Sequence, residues 1–516
     1  MIGRMIGDLK RRIGFNPLAW PGFTRRMKAQ VAGFPTQPPQ AGQPHFGVVV
    51  TPWVGTAVPW YSLAIGMLLA AEGARVTFLF DDLPFGDNMV RYRYIRRCIR
   101  AVLDSLAGRH EFIQLSTLAT TTAIDPVARA SVQRLARLNA VWQMRGEIVE
   151  AGRKEYTDRC EQQIGAAYGP IAGLMQPAAF DVLFVPGGVF GTTGIWTETA
   201  RAAGIRIASY DSGGYETVML AADGIACQLQ DIPPAFRRLM RTSDEAELAF
   251  ATRSAHEEMA RRRAGTDTFA SQMKGNADAG REFDGAVLIA LNSSWDSAAL
   301  GLHAIFDDNT QWIVETVRIL LDHTDAPVIV RQHPAERLDF ARTSDDYGAL
   351  LQRHFGTHPR LRFIAATEPV NSYALLDQVA AVVVYTSTIG IEAAAYGRPV
   401  VTPSNSYYSG LGFVWRAGSV EEYKDVLRRG AAGKLDVTDA MRRDASVCYY
   451  LTQCCNWVFT QFNPADFVKW SQRDFAALHA DPKVRGILHT LRENVPAAYL
   501  NHVERWQAAR ETPSAL

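Results

Sequence analysis

Two stretches of this chain alternate short, wholly apolar runs with segments of helical period, and a polar stretch separates them. The first begins at residues 45–51, a run rich in Val and short enough to read as a buried strand. A loop at 52–59, a helix over about 60–72 and a second apolar run at 75–80 follow, with Gly73 placed to end the helix. Strand, helix and strand in such close succession form the unit of a parallel, doubly wound sheet.

From about 91 to 172, Leu, Ala, Arg and Glu recur at helical spacing with few breakers. Strand runs return at 181–185 and 205–210, on either side of a helix near 195–203. Residues 256–283 are polar and contain Gly265, Gly275 and Gly280, which suits an interdomain segment. A second series then runs strand 286–291, helix 310–321, strands 328–331 and 361–364, helix 372–378, strand 381–385, helix 389–396 and strand 400–402. Residues 437–516 read as helices with many aromatics, and no short repeat recurs along the chain.

The pattern predicts an α/β protein of two doubly wound, Rossmann-like domains with a helical C-terminal tail. The expected ranges are an N-terminal helix and Pro-rich linker at 1–45, a first domain with a helical insertion at 46–265, a second domain at 284–430, and C-terminal helices at 431–516, with a return to the first domain as one option. Periplasmic-type binding folds, some kinases and epimerases share this architecture, so it does not fix a function.

Composition narrows the classes. With 516 residues, 47% hydrophobic and 21% charged, the chain is globular and large enough for two cores. Lys and Arg total 54 against 53 Asp and Glu, and a net charge of +1 argues against a general nucleic-acid partner. Six cysteines lack CxxC spacing, which disfavours a zinc knuckle. No apolar run approaches the roughly 18–20 residues of a membrane span. The basic N-terminus, MIGRMIGDLKRRIGF, lacks the apolar core of a secretory signal. It reads either as a packed helix or as an amphipathic contact with an anionic membrane.

The richest motif is the run from Val382 to Val401, in which a strand enters Thr386-Ser387-Thr388 at the opening of a helix. Unpaired N–H groups and hydroxyls there suit the phosphates of a nucleotide-sugar. Glu392, one turn on, suits a hydroxyl pair of ribose or sugar, and Gly390 would leave room for the ligand. The plain alternative makes Ser387 or Thr388 an N-cap and Glu392 a solvated or cap-linked carboxylate. The second motif, Arg331-Gln332-His333-Pro334, ends another buried strand. Ligands bind at such carboxyl ends, and His333, as cation or hydrogen-bond donor, would meet charge on a leaving phosphate, with Arg331 either its helper or a member of a structural ion pair.

Together these motifs resemble the bacterial capsule polysaccharide biosynthesis glycosyltransferases, the group that includes β-Kdo transferases of GT-B fold. The elements are Arg331-Gln-His-Pro334, Asn371-Ser-Tyr-Ala-Leu-Leu376, Ser387-Thr-Ile-Gly-Ile-Glu-Ala393 leading to Gly397-Arg-Pro-Val400, the Tyr-rich segment 406–413, and Trp295-Asp296. The resemblance covers about 285–415 and touches the first half only at the level of fold. It implies donor contacts from Arg331, Ser372, Thr386, Ser387, Thr388 and Glu392, with His333 catalytic at the phosphate. Bacterial sialyltransferases share this logic, which implies a CMP-sugar such as CMP-Kdo. The acidic position before the strand is unsettled, with Glu368 nearest.

An inverting transferase also needs a base for the acceptor hydroxyl. Asp211, followed by Ser-Gly-Gly, is the candidate, equally readable as a turn acid, with Asp81 and Asp82 behind it. Trp53 and Asp82 are the candidate acceptor contacts, and Trp60 is a second stacking candidate beside its commoner role in a core. The Gly-rich loop 186–194 lacks the dinucleotide fingerprint. Without a convincing Asp-x-Asp pair, no essential metal and no cofactor are expected. The expected partners are a nucleotide-sugar donor and a glycan or lipid-linked acceptor, in the cytoplasm or at the inner membrane beside other glycan-assembly enzymes. A UDP-sugar 2-epimerase and a non-catalytic glycan-binding protein are the competing readings.

Overall fold

The computed structural model describes residues 20–511 apart from 54–55, 87–88, 120–121, 149, 214–215, 266–281, 294, 296–297, 340, 461, 463 and 465–472. The described residues fall into two compact units. One draws on Met1–Arg137, Thr157–Asp231 and Asn456–Asn501, the other on Leu138–Tyr156, Ile232–Cys455 and His502–Leu516. These differ from the expected ranges. The segments 138–156 and 232–265 join the second unit, and the tail is shared between the two.

The first unit is built on strands β1 (His45–Val50), β2 (Arg75–Phe80), β3 (Glu111–Gln114), β4 (Val182–Pro186), β5 (Arg206–Ser212) and β6 (Thr217–Ala221). Strands β1 to β5 run parallel, in the order β3-β2-β1-β4-β5, and the central β1, β2 and β4 are buried over all but the first residue of β1 and β2. The helix Val58–Ala71 lies close on the sheet, and a Cβ at Gly66 would stand 2.5 Å from the Phe78 ring. The edge departs from expectation: β6 returns antiparallel to β5, in register Asp211↔Met219. A two-residue strand from the tail, Val458–Phe459, pairs antiparallel with β6.

The helix Trp20–Gly33 buries Trp20, Phe23, Met27 and Val31 in this unit's core, with Trp20 and Phe23 against Trp60. Its apolar face is therefore taken by protein, and Trp60 is a core residue. The basic segment 1–15 lies outside the described residues. Among the described residues no helix is long and apolar enough to cross a membrane.

The second unit carries β7 (Val287–Ala290), β8 (Val328–Arg331), β9 (Leu361–Ile364), β10 (Ala381–Val384), β11 (Val400–Thr402) and β12 (Trp415–Arg416), all parallel, in the order β12-β11-β10-β7-β8-β9. The tail strand Val458–Phe459 is β13. The helices Asn309–His323, Tyr347–Phe355 and Val420–Ala431 bury Trp312, Leu350 and Tyr423 in its core. The helix Asp439–Tyr450 packs on both Ile389–Ala395 and Glu245–Arg263. The α/β class with two doubly wound, Rossmann-like sheets and C-terminal helices is thus the observed fold.

Candidate functional site

In the second unit the strand order reverses at β7, between β10 and β8. Open α/β sheets leave a crevice at the carboxyl ends of such a pair, because the following connections leave to opposite faces. Val384, Ala290, Arg331 and Ile364 stand in one register row across this edge. Thr386, Asn292 and His333 each follow two residues beyond that row. Strands about 4.8 Å apart put the ends of β10 and β8 about 10 Å from each other.

The turn after β10 is braced from two sides. The Thr386 N–H donates to Asn292 Oδ1 over 3.2 Å. The Ser387 carbonyl accepts from the buried Tyr408 hydroxyl at 2.8 Å and from the Gly390 N–H at 3.0 Å. Among the described residues the Ser387 hydroxyl makes no hydrogen bond, and the Thr388 side chain makes no cap bond although Thr388 is the N-cap residue. Neither hydroxyl is used as a helix cap. Gly390 plays a different part from the one its position suggested: a Cβ there would meet Val384 at 2.8 Å and the Tyr408 hydroxyl at 2.9 Å. It admits neighbouring side chains and leaves no free space for a ligand.

Glu392 is buried at 3% exposure and is not a solvated carboxylate. The Tyr373 hydroxyl donates to it, and Arg262 Nη1 stands 3.8 Å from its Oε1. Ser372 opens the short helix Ser372–Leu376, half-buried, while Asn371 Oδ1 takes the capping N–H of Tyr373 at 2.9 Å. Ser372 thus stands one residue from the tyrosine that binds Glu392.

After β8, Pro334 opens a turn of 3-10 helix over Pro334–Arg337, and His333 caps it by accepting the Ala335 N–H on Nδ1 at 3.2 Å. Burial and then the neighbouring Arg331 guanidinium hold the imidazole down at about 4. At neutral pH the ring is therefore uncharged, with its proton on Nε2. Of the two expected modes, donor rather than cation is what the geometry leaves. Arg331 is engaged structurally: its buried guanidinium donates to the carbonyls of Ala365 and, at 3.1 Å, Val370. Desolvation lowers it to about 10, and it ties β8 to the segment leading into Ser372. Glu368 accepts from the Ala365 N–H at 2.8 Å and pairs with Arg362.

In the first unit the order reverses at β1, between β4 and β2. The half-buried Trp53 follows β1, with its ring 3.6 Å from where a Gly191 Cβ would stand. Gly187, Gly188 and Gly191 all adopt positive φ there, and Gly191 thereby brings bare backbone up to the indole. Asp82 is a correction: it is fully buried, pairs with Arg96 and accepts from Gln114, Ser116 N and Ser116 Oγ. Its oxygens brace the β2–β3 edge and are not available to an acceptor. Asp81 is likewise buried, accepting from Thr192 and from Trp196 Nε1 at 2.9 Å. Asp211 lies within β5 rather than in the loop beyond, half-buried, with Oδ1 accepting the Ser212 N–H at 2.7 Å.

Sequence reasoning missed Asn292, Arg262 and Glu336. Asn292 directly follows the strand expected at 286–291 but belongs to no motif, and Arg262 falls in the polar stretch 256–283, which reads as an interdomain segment. Glu336 is 2% exposed, accepts from Gln332 at 2.8 Å, and is pushed by burial up to about 7. Its spacing from His333 was the available signal.

Residues 250–452 match the family model described as capsule polysaccharide biosynthesis protein, which is the family the motifs resemble. No curated protein matches the chain. Among solved structures it is similar to the β-Kdo 2,4 transferase of Thermosulfurimonas dismutans KpsC, at 14% identity over 53% of this chain and 80% of that one, with a TM-score of 0.34. The β-Kdo 2,7 transferase of the same protein gives 17% identity, 51% and 83% coverage and a TM-score of 0.30. A putative UDP-N-acetylglucosamine 2-epimerase from Listeria monocytogenes gives 12%, 78% and 91%, with a TM-score of 0.24.

Proposed function

We propose, taking the family match of residues 250–452 as the premise, that this chain is a glycosyltransferase. It moves a sugar from a nucleotide-sugar, a CMP-sugar such as CMP-Kdo by motif resemblance, to a growing bacterial surface or capsular glycan. One observation carries the reading: the Ser387 hydroxyl, without a hydrogen bond among the described residues and in a turn braced by Asn292 and Tyr408, shares the sheet edge with the neutral imidazole of His333.

In this mechanism the acceptor hydroxyl attacks the anomeric carbon with inversion. The bond from that carbon to the phosphate oxygen breaks, and the nucleotide leaves with the electron pair. Ser387, Thr388 and the Thr386 turn hold the phosphate, His333 donates Nε2–H to its developing charge, and Glu392 with Ser372 takes the ribose side. The acceptor proton passes to a carboxylate, for which we propose Asp211, and Trp53 offers the acceptor a stacking face. We further propose that no divalent ion is required, so that turnover persists in EDTA. A cytoplasmic site of action, at or near the inner membrane, goes with this reading.

Incubating the full chain with CMP-, UDP- and GDP-sugars, and following binding by thermal shift and turnover by mass spectrometry, tests it. Release of nucleotide that depends on a glycan acceptor is expected. Epimerisation of a free UDP-sugar without acceptor would overturn it.

A further inference from the structure

The chain as a whole is close to neutral, yet two neighbouring helices of the first unit carry charge of one sign only. The helix Met89–Leu103 holds Arg91, Arg93, Arg96, Arg97 and Arg100. The helix Trp20–Gly33, packed beside it, holds Arg25, Arg26 and Lys28. Neither contains an acidic residue. Their apolar faces belong to the core, with Ile95 and Ile99 buried from one and Phe23 and Met27 from the other.

This placement is unfavourable for the helices themselves. Arg93 and Arg97, and again Arg96 and Arg100, are like charges four residues apart, which repel along a helix. Arg91 stands in the first turn, where the helix dipole favours an acid. Acids elsewhere relieve only part of this: Arg96 pairs with Asp82 and Arg100 with Asp104. Arg93 and Arg97 are exposed and make no ion pair or hydrogen bond among the described residues, and the same holds for Arg25, Arg26 and Lys28. Local rules broken without a gain inside the fold mark a functional surface.

Val90, Arg93, Arg97 and Arg100 follow at steps of three, four and three, which puts them in one stripe on the side away from the core. Val90 heads the stripe at 76% exposure. Arginines beside an exposed apolar residue on a convex helix suit a plane that is anionic outside and apolar beneath, with guanidinium groups at phosphates and Val90 at the interface. The basic residues Arg4, Lys10, Arg11 and Arg12 precede the helix Trp20–Gly33 in sequence and carry the same sign.

We propose that the exposed faces of these two helices are a docking surface for an anionic phospholipid membrane. This deepens the membrane-proximal site of action given under Proposed function. It does not need the chain to be a transferase, so failure of vesicle binding leaves nucleotide turnover untouched, and failure of turnover leaves the vesicle result standing. Each Lys or Arg brought to such a surface strengthens partition about fivefold, and the attraction fades within a Debye length.

The test measures partition of the full chain, by co-sedimentation, onto vesicles of phosphatidylglycerol mixed with phosphatidylcholine and onto vesicles of phosphatidylcholine alone. The wild type is expected to bind the anionic vesicles at least about tenfold better and to leave them in about 0.5 M salt. R93Q/R97Q is expected to bind about tenfold or more weaker, and addition of R25Q/R26Q/K28Q to remove the preference for anionic lipid. R428Q/R429Q, which removes the same charge from exposed positions on the helix Val420–Ala431, is expected to stay within about twofold of wild type. Thermal midpoints should hold, because the changed side chains are exposed, and R93Q/R97Q decides alone where the five-residue variant does not fold. Wild-type binding that is absent, or equal on both vesicles, overturns the inference. So does R93Q/R97Q binding as wild type does, or R428Q/R429Q losing as much as R93Q/R97Q. Binding to soluble polysialic acid but not to the anionic vesicles gives the surface to another partner and overturns it as well.

Discussion

The backbone N–H of Thr386 donates to the side-chain oxygen of Asn292 over 3.2 Å, joining the loop after β10 to the loop after β7, the strand at which the order of the second sheet reverses. The turn that carries Ser387 is thereby fixed by a residue almost a hundred positions away. Replacing Asn292 by Ala removes the acceptor and frees the turn. The donor KM is expected to rise about tenfold with little change in kcat, since the loss is of positioning before chemistry. Steady-state kinetics on the variant check this.

His333 has two separable duties, one for each ring nitrogen. In His333→Asn the side-chain oxygen can still accept the Ala335 N–H, but the donor at Nε2 is gone. We expect a thermal midpoint close to wild type and a kcat lower by about 10²-fold, as for loss of one preorganised donor. His333→Ala should lose both.

The same residue sets one limb of the pH dependence of stability. Its folded value is depressed to about 4 from 6.5. The contribution is therefore present above about 6.5 and is lost as pH falls through about 4. Urea titrations between those limits should show wild type losing stability faster than His333→Asn.

The other limb belongs to Glu147. Burial, then repulsion from Asp308 and Asp345, pushes its carboxyl up to about 8, although the Asn309 N–H donates to Oε2 at 2.9 Å. A raised acid contributes fully below its ordinary value near 4.5 and loses that contribution as pH rises through about 8. Glu147→Gln keeps an acceptor and removes the titration. It should be more stable than wild type at pH 9 by on the order of 1–2 kcal/mol and nearly equal at pH 5. Equal pH slopes in both proteins would refute the assignment.

Asp82 and Asp211 should part company when changed. Asp82→Ala leaves Arg96 without its buried partner and is expected to cost about 3 kcal/mol of stability. Asp211→Asn should shift stability by less than about 0.5 kcal/mol and, if Asp211 is the base, reduce turnover at least about 10²-fold. Unchanged turnover in that variant would remove Asp211 from the mechanism.

The central strands were legible because strands covered on both faces are written as unbroken apolar runs, as Val382–Val384 and Val328–Val330 are. Edges were not. The strand Thr217–Ala221 and the pair at Val458–Phe459 are held by antiparallel partners rather than by any periodic pattern. Membership of the two units was equally hidden. The helix Glu245–Arg263 buries Phe250, Ala251, Ala255 and Met259 amid Arg and Glu, and small alanines do not mark a face. At the site the turn-helix and His-Pro motifs could be read from spacing. The groups that hold them came from distant positions: Asn292 holds Thr386, Tyr408 holds Ser387 and Arg262 faces Glu392. Such pairings exist only once the sheet order is known.

The central claim is that the carboxyl edge of the second sheet binds the donor and supports transfer. Acceptor-dependent release of nucleotide from a panel of CMP-, UDP- and GDP-sugars, by wild type and by Ser387→Ala, tests it most directly. The account predicts turnover of one donor class by wild type and a fall in kcat/KM of about 10-fold or more in Ser387→Ala at an unchanged thermal midpoint. Turnover that is indifferent to Ser387, or a wild type that turns over no nucleotide-sugar in the presence of glycan acceptor, would contradict it.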